Sequence, residues 1–227
     1  MKLTEHLFFY PERGMLGCNT YVIKDKLNVL IDPGFGLHLE GLLNEMHKDG
    51  INPKDINLIT DTHLHLDHCG ANQAFKDISA ARIAIHPLHK EYYHLNVVEM
   101  PKLLTPLFGF GIKSEGFQED NLLDDNRFSS GEMEFELLPA PGHSPDSICF
   151  YNKKEKMLIC GDVVFAQSTG RVDFPGGDAE ELKRSIGRLA QLEIEYLLPG
   201  HLNIIKGKAT IQKNFAFVRE YVFPWLS

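Results

Sequence analysis

Short apolar runs alternate with helical repeats along the first half of the chain. The runs predict strands at 21–24, 29–31, 58–60 and 83–85. Between the second and third strands, apolar residues at helical spacing predict a helix that ends near Gly50 and contains Leu39, Leu42, Leu43 and Met46. A shorter helix is predicted over 71–75.

The second half repeats this order of elements. Strands are predicted at 135–138, 148–151, 157–160 and 196–198. A helix over 179–192 precedes the last strand and has Leu182, Ile186 and Leu189 on one face. A closing helix carries Ile211, Phe215, Val218 and Val222. Each half therefore runs strand, Asp turn (Asp32 or Asp162), helix, strand and His, which favours an α/β fold of two similar halves.

Residues 87–128 lie between the halves, and prolines and glycines interrupt their apolar residues. Two interpretations stay open: a lid or subunit contact formed by Leu103, Leu104, Leu107, Phe108 and Phe110, or a helical insertion packed on the body. Since no linker-like or low-complexity stretch separates the halves, we predict a single domain over 1–227.

Composition narrows the function classes. The 227 residues are 43% hydrophobic and 24% charged, which excludes disorder and coiled coil. The net charge of −8 argues against a nucleic-acid partner. Four cysteines form no CxxC pair, no apolar stretch approaches 18 residues, and the first apolar run is too short for a signal peptide. We therefore predict a cytoplasmic protein that acts on a small molecule without a membrane partner; a homo-oligomer stays open.

Residues 62–70 read Thr-His-Leu-His-Leu-Asp-His-Cys-Gly directly after a predicted buried strand. In an extended segment residues i and i+2 point the same way, so His63 and His65 can share one ion. Asp67 and His68 follow and can face a second ion. Imidazole nitrogens and carboxylate oxygens suit zinc, iron or manganese better than calcium.

Two such ions need more donors than these four. Three candidates follow predicted strands, each after a glycine that permits a sharp turn: His143 in Ala-Pro-Gly-His-Ser, Asp162 in Cys-Gly-Asp, and His201 in Leu-Pro-Gly-His. As a set they supply the missing donors and leave a position open for water.

The order HxHxDH, PGHS, GD and PGH from about Asn19 to His201 resembles the metallo-β-lactamase superfamily. The resemblance implies a four-layer αββα sandwich. It also implies that His63, His65 and His143 hold a first metal, that Asp67, His68 and His201 hold a second, and that Asp162 bridges them. The expected cofactors are two zinc ions, with iron or manganese as substitutes, and the expected chemistry is hydrolysis by a metal-bridging hydroxide.

A second motif bears on the substrate. Residues 168–178 contain Gly-Arg-Val-Asp-Phe and resemble glyoxalase II-like (hydroxyacylglutathione hydrolase-like) enzymes and their persulfide dioxygenase relatives. A thioester suits such a site because its leaving thiolate needs little help from an acid. The catalytic candidates are Asp67, Asp162 and Arg171. Arg171 either holds a substrate carboxylate or orders the metal loop, or it only pairs with Asp173 or Asp178.

The sequence departs from typical glyoxalase II enzymes after the last expected ligand. Only residues 202–227 follow it, so the helical extension that binds glutathione in those enzymes is not expected. Persulfide dioxygenases are one alternative, and their single Fe(II) would use His63, His143 and Asp162. Lactone hydrolases and nucleases of the superfamily are two more, the first disfavoured by the Gly-Arg-Val-Asp-Phe motif and the second by the net charge. A structural zinc site is disfavoured because such sites are closed and rich in Cys.

Several neighbouring residues have two interpretations each. Asp32 and Asp61 either orient ligand imidazoles or cap turns. Cys69 is a soft ligand or a small buried residue. His86, His89 and His94 are expected to be surface or packing residues.

Overall fold

The structure of this chain, a computed structural model, describes residues 1–99, 102, 116–124 and 126–227. Its backbone divides into two units. Unit 1 comprises residues 1–125 and 129–133, and unit 2 comprises residues 126–128 and 134–227.

Unit 1 is built on a six-stranded sheet in the order β1-β2-β3-β4-β5-β6. Its strands are β1 (Leu7–Tyr10), β2 (Thr20–Ile23), β3 (Val29–Ile31), β4 (Leu58–Thr60), β5 (Arg82–Ile85) and β6 (Asn121–Leu122). The first three strands pair antiparallel, and β3 to β6 pair parallel. Strands β1 to β4 are buried throughout, which is typical of strands whose sequence is continuously apolar rather than alternating.

The helices of unit 1 are α1 (Leu39–Lys48), α2 (Leu66–Cys69), α3 (Asn72–Ser79) and α4 (Pro87–Tyr93), joined by 3₁₀ turns at Gly36–His38 and Pro53–Asp55 and a π-helical segment at His94–Glu99. Leu42 and Met46 of α1 and Phe75 of α3 share a buried cluster with Leu30 and Ile59 of the sheet. These two helices therefore cover one face of the sheet, as their apolar spacing predicts.

Unit 2 has a second six-stranded sheet in the order β14-β13-β10-β9-β8-β7. Its strands are β7 (Arg127–Ser129), β8 (Glu134–Pro139), β9 (Ile148–Asn152), β10 (Met157–Gly161), β13 (Tyr196–Pro199) and β14 (Ile205–Lys206). Strands β10 and β13 pair parallel, whereas β8, β9 and β10 form an antiparallel meander. A hairpin of β11 (Val164–Phe165) and β12 (Ser168–Thr169) stands apart from the sheet.

Two helices pack on this sheet: α5 (Ala179–Leu189) and α6 (Lys208–Phe217), the latter followed by a π-helical segment at Val218–Val222 and a 3₁₀ turn at Phe223–Trp225. Leu182 and Ile186 of α5 and Phe215 of α6 join the strand residues Leu158 and Leu197 in one core. Each unit is thus one mixed sheet with a helical layer, and both contain the predicted order of strand, Asp turn, helix, parallel strand and His.

The elements differ from the sequence predictions in several places; for example, α2 and β7 were not predicted, and α3 extends to Ser79 rather than ending at 75. Helix α5 ends at Leu189 rather than near 192, because Gln191 and Leu192 donate to carbonyls three residues back and close tight turns instead. Strand β1 was not predicted although its run is apolar and fully buried. The two-residue strands β6, β11, β12 and β14 were missed because two residues carry no period.

Residues 87–128 begin as a helix but do not stay helical. The described part is helical over 87–99, whereas β6 pairs in parallel with β5 and β7 starts at Arg127. The apolar residues proposed for a lid, from Leu103 to Phe110, lie outside the described residues. The choice between lid and packed insertion therefore stays a prediction, as does the single domain.

Candidate functional site

The metal-ligand motif of unit 1 occupies the end of β4 and the short helix α2. His63, His65 and His68 are buried, with relative exposures of 0%, 5% and 0%, and Asp67 beside them is half-buried. The ring of His63 lies 4.6 Å from that of His65 and 4.1 Å from that of His68, measured between centroids. Strand β4 therefore delivers three imidazoles to one place within unit 1, as the motif predicts.

Asp32 holds this cluster from the end of β3. Its Oδ2 accepts from Nδ1 of His68 at 3.0 Å and from the Thr62 hydroxyl at 2.8 Å, and its Oδ1 accepts from the Thr62 backbone N–H at 2.7 Å. A carboxylate can only accept at these distances, so Nδ1 of His68 carries the proton. The lone pair of His68 is then on Nε2, where a metal would bind.

Thr62 extends the same control to His63. Its single hydroxyl proton goes to Asp32, so the contact of 3.2 Å between Thr62 Oγ1 and His63 Nδ1 is donated by the imidazole. His63 therefore also has its proton on Nδ1 and its lone pair on Nε2. One buried carboxylate and one hydroxyl set the tautomers of two candidate ligands.

The backbone of Asp32 is unusual for a residue other than glycine. Its φ is +54°, in the left-handed region. Besides the bonds of its carboxylate, three hydrogen bonds hold the Asp32 backbone in this conformation. The Asp32 N–H donates to the Thr60 carbonyl at 3.1 Å, and the Asp32 carbonyl accepts from the Thr20 hydroxyl at 2.8 Å and the Cys18 thiol at 3.6 Å. Strained conformations of this kind persist where surrounding structure enforces them, which is common at functional sites.

The second carboxylate suggested for an orienting role, Asp61, lies elsewhere in the network. Its Oδ2 accepts from the side-chain amide of Asn72 at 2.7 Å, and both side chains are fully buried. This bond links the end of β4 to the first residue of α3. The carboxylate of Asp32 thus orients the imidazole of His68, whereas the hydrogen bond of Asp61 to Asn72 links two secondary-structure elements.

The donors of unit 2 follow three different strands. Oδ2 of Asp162, one residue after β10, lies 3.5 Å from Nε2 of His143 and 3.3 Å from Nε2 of His201. His143 follows β8 and is nearly fully buried, whereas the side chain of His201, after β13, is 20% exposed. Unit 2 therefore brings its three predicted ligands into one group, as unit 1 does for its histidines.

Gly142 lets the chain approach α5 closely enough to place His143. Its φ is +138°, and a Cβ there would lie 2.2 Å from the backbone nitrogen of Leu182. Its carbonyl accepts from the N–H of Asp178, the residue that caps α5. The glycine in Pro-Gly-His is therefore required both for its conformation and for its contact.

His143 also has a partner for its second ring nitrogen. Its Nδ1 lies 2.6 Å from the backbone carbonyl of Arg171. The Arg171 side chain pairs with Asp173, one of the two alternatives raised by the sequence, and lies over the ring of Phe174 at 3.9 Å.

Other features of unit 2 escaped the sequence prediction. Ser144 and Asp146 are fully buried and share a short hydrogen bond in which the Ser144 hydroxyl donates. The ring of Phe165 meets that of His201 edge-on at 5.7 Å. The sequence signal for Ser144 and Asp146 was their place next to His143, but nothing in the pattern indicates that a carboxylate there is buried.

The remaining candidates are packing residues with one exception. His86 and His89 are buried at the start of α4, where His86 accepts from the Leu88 N–H and caps the helix. His94 is exposed and pairs with Glu99. Cys69 is buried, and its thiol contacts the Leu64 carbonyl at 3.5 Å.

Both sets of donors fit transition metals of the zinc, iron and manganese type. Imidazole nitrogens dominate and carboxylate oxygens complete each set. Nδ1 of His68 and Nδ1 of His143 are each held by a hydrogen bond, as is typical of metal-ligating histidines. Among the described residues, no helix is both long and apolar enough to cross a bilayer.

Comparison with known proteins identifies the class. Residues 13–201 match the Metallo-beta-lactamase superfamily, and the chain belongs to that family. A protein of Methanocaldococcus jannaschii named a "Probable metallo-hydrolase" is 34% identical over 187 residues, covering 81% of this chain and 86% of the relative. The expected metallo-β-lactamase fold is thereby confirmed, and relatives of this chain are metallo-hydrolases by name.

Two further similarities bear on subtype and metal. "Hydroxyacylglutathione hydrolase GloC" of Haemophilus influenzae is 31% identical over 171 residues, covering 74% of this chain and 76% of the relative. A protein whose crystal structure was solved in a di-iron-bound form superposes with a TM-score of 0.72 at 28% identity, covering 93% of this chain and 97% of that one. Proteins similar to this chain thus include one named as a hydroxyacylglutathione hydrolase and one whose structure was solved in a di-iron-bound form.

Proposed function

We propose that this protein is a metal-dependent hydrolase of thioesters that binds two metal ions. The first ion would be held by His63, His65 and His143, and the second by Asp67, His68 and His201, with Asp162 shared. The observation that carries the proposal is a hydrogen-bond arrangement that three of these histidines share. Nδ1 of His63, His68 and His143 each has a hydrogen-bond acceptor, so the lone pair of each neutral ring would lie on Nε2, the nitrogen that would bind a metal.

Metal ions of this kind, when bound, lower the pKa of water and polarise a carbonyl group. The chain's own residues supply orientation. Asp32 and Thr62 hold His68 and His63, and the Arg171 carbonyl holds His143. Besides binding metal, the carboxylates of Asp67 and Asp162 would accept a hydrogen bond from the attacking water.

The thioester specificity is supported by leaving-group chemistry and by similarity. A thiolate is a leaving group that needs little help from a general acid. This suits a site in which the predicted His and Asp donors are all expected to bind metal. The relative from Haemophilus influenzae is named for a glutathione thioester. We propose a small-molecule thioester as the substrate class, with the identity of the thiol to be determined by experiment.

Metal content is the first test. Elemental mass spectrometry on protein expressed in medium balanced for zinc, iron and manganese is expected to find about two ions per chain. About one iron per chain, together with oxygen uptake in the presence of a thiol persulfide, would replace this proposal with a persulfide dioxygenase.

Substrate class is the second test. A panel should pair a hydroxyacylglutathione with the same acyl group on a small thiol, with the matching oxygen ester and with a lactone. Turnover of both thioesters is expected, and turnover of the lactone alone would contradict the proposal. His65→Ala and His68→Ala should each abolish hydrolysis while the far-ultraviolet circular dichroism stays unchanged.

We also propose that the protein works in the cytoplasm. Its four cysteines, Cys18, Cys69, Cys149 and Cys160, are buried and form no disulfide, which suits a reducing compartment.

A further inference from the structure

The contact between His143 and Arg171 involves a main-chain group that no substitution can delete. The Arg171 carbonyl, 2.6 Å from Nδ1 of His143, can only accept, so His143 must carry its proton on Nδ1. Because the lone pair is then on Nε2, the direction of this carbonyl decides where His143 can bind. Anything that fixes the backbone at Arg171 therefore fixes a candidate ligand.

The Arg171 side chain closes the turn that carries this carbonyl. Nε of Arg171 donates to Oδ1 of Asp173 at 2.6 Å, and Nη2 donates to Oδ2 at 2.5 Å. The guanidinium also lies 3.9 Å from the ring centroid of Phe174. The paired hydrogen bonds to Asp173 and the contact with the Phe174 ring link residues 171–174. A planar guanidinium is the side-chain group best suited to make both contacts.

The same turn is packed tightly at both ends. A Cβ on Gly170 would lie 1.9 Å from the Asp162 carbonyl and 2.9 Å from Cγ of His143. A Cβ on Gly177 would lie 2.2 Å from the Val172 carbonyl, and the Gly177 N–H donates to the Phe174 carbonyl at 2.8 Å. Residues 170–177 thus form a closed loop seated directly on His143 and the Asp162 backbone.

From this geometry we propose that Arg171 is a positioning residue for His143. Its guanidinium, held by Asp173 and Phe174, keeps the 170–174 turn in the conformation that aims the Arg171 carbonyl at Nδ1. The inference rests on the proposed function in that His143 is taken to bind a metal. It assigns no substrate contact to Arg171, because the Nε–Nη2 edge of the guanidinium already binds Asp173.

The exposure of the pair separates this role from a general contribution to stability. The side chains of Arg171 and Asp173 are 56% and 62% exposed, and ion pairs this exposed contribute little to folding. A loss that appears in metal binding but not in the melting temperature would therefore indicate positioning.

The experiment compares Arg171→Ala, Arg171→Lys and Asp173→Asn with a matched control, Arg184→Ala. Arg184 on α5 is 57% exposed and donates from Nη2 to Glu181 at 2.6 Å, far along the sequence from the predicted ligands. Metal-free proteins are titrated with Zn(II) against a competing chelator, and their melting temperatures are recorded. We expect Arg171→Ala and Asp173→Asn to bind zinc about ten- to a hundredfold more weakly, as with other residues behind a ligand.

Arg171→Lys should recover only part of the affinity, because an ammonium group cannot make the paired hydrogen bonds. Arg184→Ala should match the wild type. All melting temperatures should agree closely. Wild-type zinc affinity in both Arg171→Ala and Asp173→Asn would overturn the proposal, and so would an equal loss in Arg184→Ala.

A second readout needs no metal. Long-range ¹H–¹⁵N correlation spectra of the metal-free protein report the tautomer of His143, whose signals are identified by their loss in His143→Gln. The wild type is expected to show a protonated Nδ1, whether or not Nε2 shares a proton with Oδ2 of Asp162 at 3.5 Å. Arg171→Ala is expected to lose part of the protonation at Nδ1, and an unchanged spectrum would refute the inference. If thioesters are not hydrolysed but these shifts appear, the proposed function fails and the positioning role stands.

Discussion

The carboxylate of Asp32 lies 3.0 Å from Nδ1 of His68, and neither side chain is accessible to solvent. The two residues are 36 positions apart in sequence, and the contact joins the end of β3 to helix α2. Because the same carboxylate also accepts hydrogen bonds from both donors of Thr62, one residue organises two of the three histidines of the HxHxDH motif.

This relationship predicts the effect of Asp32→Asn. Asp32 accepts from three donors, and an amide must turn its own NH₂ toward at least one of them. We expect metal affinity to fall about ten- to a hundredfold and the free energy of unfolding of the metal-free protein to fall by about 1–3 kcal/mol. Chelator competition and urea unfolding measure the two effects, and unchanged zinc affinity would show that Asp32 serves folding alone.

Thr62 should matter through its hydroxyl rather than its bulk. Thr62→Val keeps the shape but removes the group between Asp32 and His63, whereas Thr62→Ser keeps the hydroxyl. We expect Thr62→Val to bind metal more weakly than the wild type but better than Asp32→Asn, because the Thr62 backbone N–H still donates to Asp32. Thr62→Ser is the matched control and should retain most of the affinity; equal losses in both variants would argue against the bridge.

The sequence predicted the candidate ligands but not the groups that hold them. His63, His65 and His68 fall within six residues, so local spacing after a buried strand was enough to single them out as candidates. His143 and His201 became candidates because Pro-Gly-His follows a predicted strand in each case. The Thr62 hydroxyl and the Arg171 carbonyl could not be found in this way, since a common hydroxyl and a main-chain group leave no distinctive pattern.

The fold shows the same division. Strands β3 and β4 match their predicted bounds because continuous apolar runs stop at Asp32 and Asp61. Strand β6, with two exposed residues, exists only because β5 offers it a partner. Local patterns therefore predicted most of the elements that bury their own side chains, with β1 as an exception, and missed the two-residue strands that depend on a neighbour.

Glycine substitutions should separate close packing from helix propensity. A Cβ on Gly170 would lie 1.9 Å from the Asp162 carbonyl, so Gly170→Ala must displace the loop from His143. We expect it to cost about 2–4 kcal/mol of unfolding free energy and most of the metal affinity. Gly187 in α5 has open space around its Cβ position, and Gly187→Ala should raise the free energy of unfolding by about 0.5–1 kcal/mol. A tolerated Gly170→Ala would mean that the loop is not seated on these residues.

Asp25 predicts a pH dependence within unit 1. Burial alone would raise the pKa of its carboxyl, but N–H groups of Met133, Lys26 and Glu132 and the hydroxyl of Ser130 donate to it and lower the pKa from 3.8 to about 2. The carboxylate joins the β2–β3 turn to residues 130–133 and stabilises the fold only while it is ionised.

The sign of the effect follows from this lowered pKa. The contribution of Asp25 is complete above pH 3.8, where the unfolded carboxyl is ionised as well, and it is lost as the pH falls toward about 2. At pH 6, Asp25→Asn should lower the free energy of unfolding of the metal-free protein by about 1 kcal/mol, a value kept small because the group is partly exposed. Urea unfolding between pH 6 and acid should show this difference shrinking below about pH 4. Asp77→Asn, which alters an exposed carboxylate bonded to Gln73 on α3, is the control and should show a smaller loss; a difference for Asp25→Asn that persists into acid would contradict the proposed role of its charge.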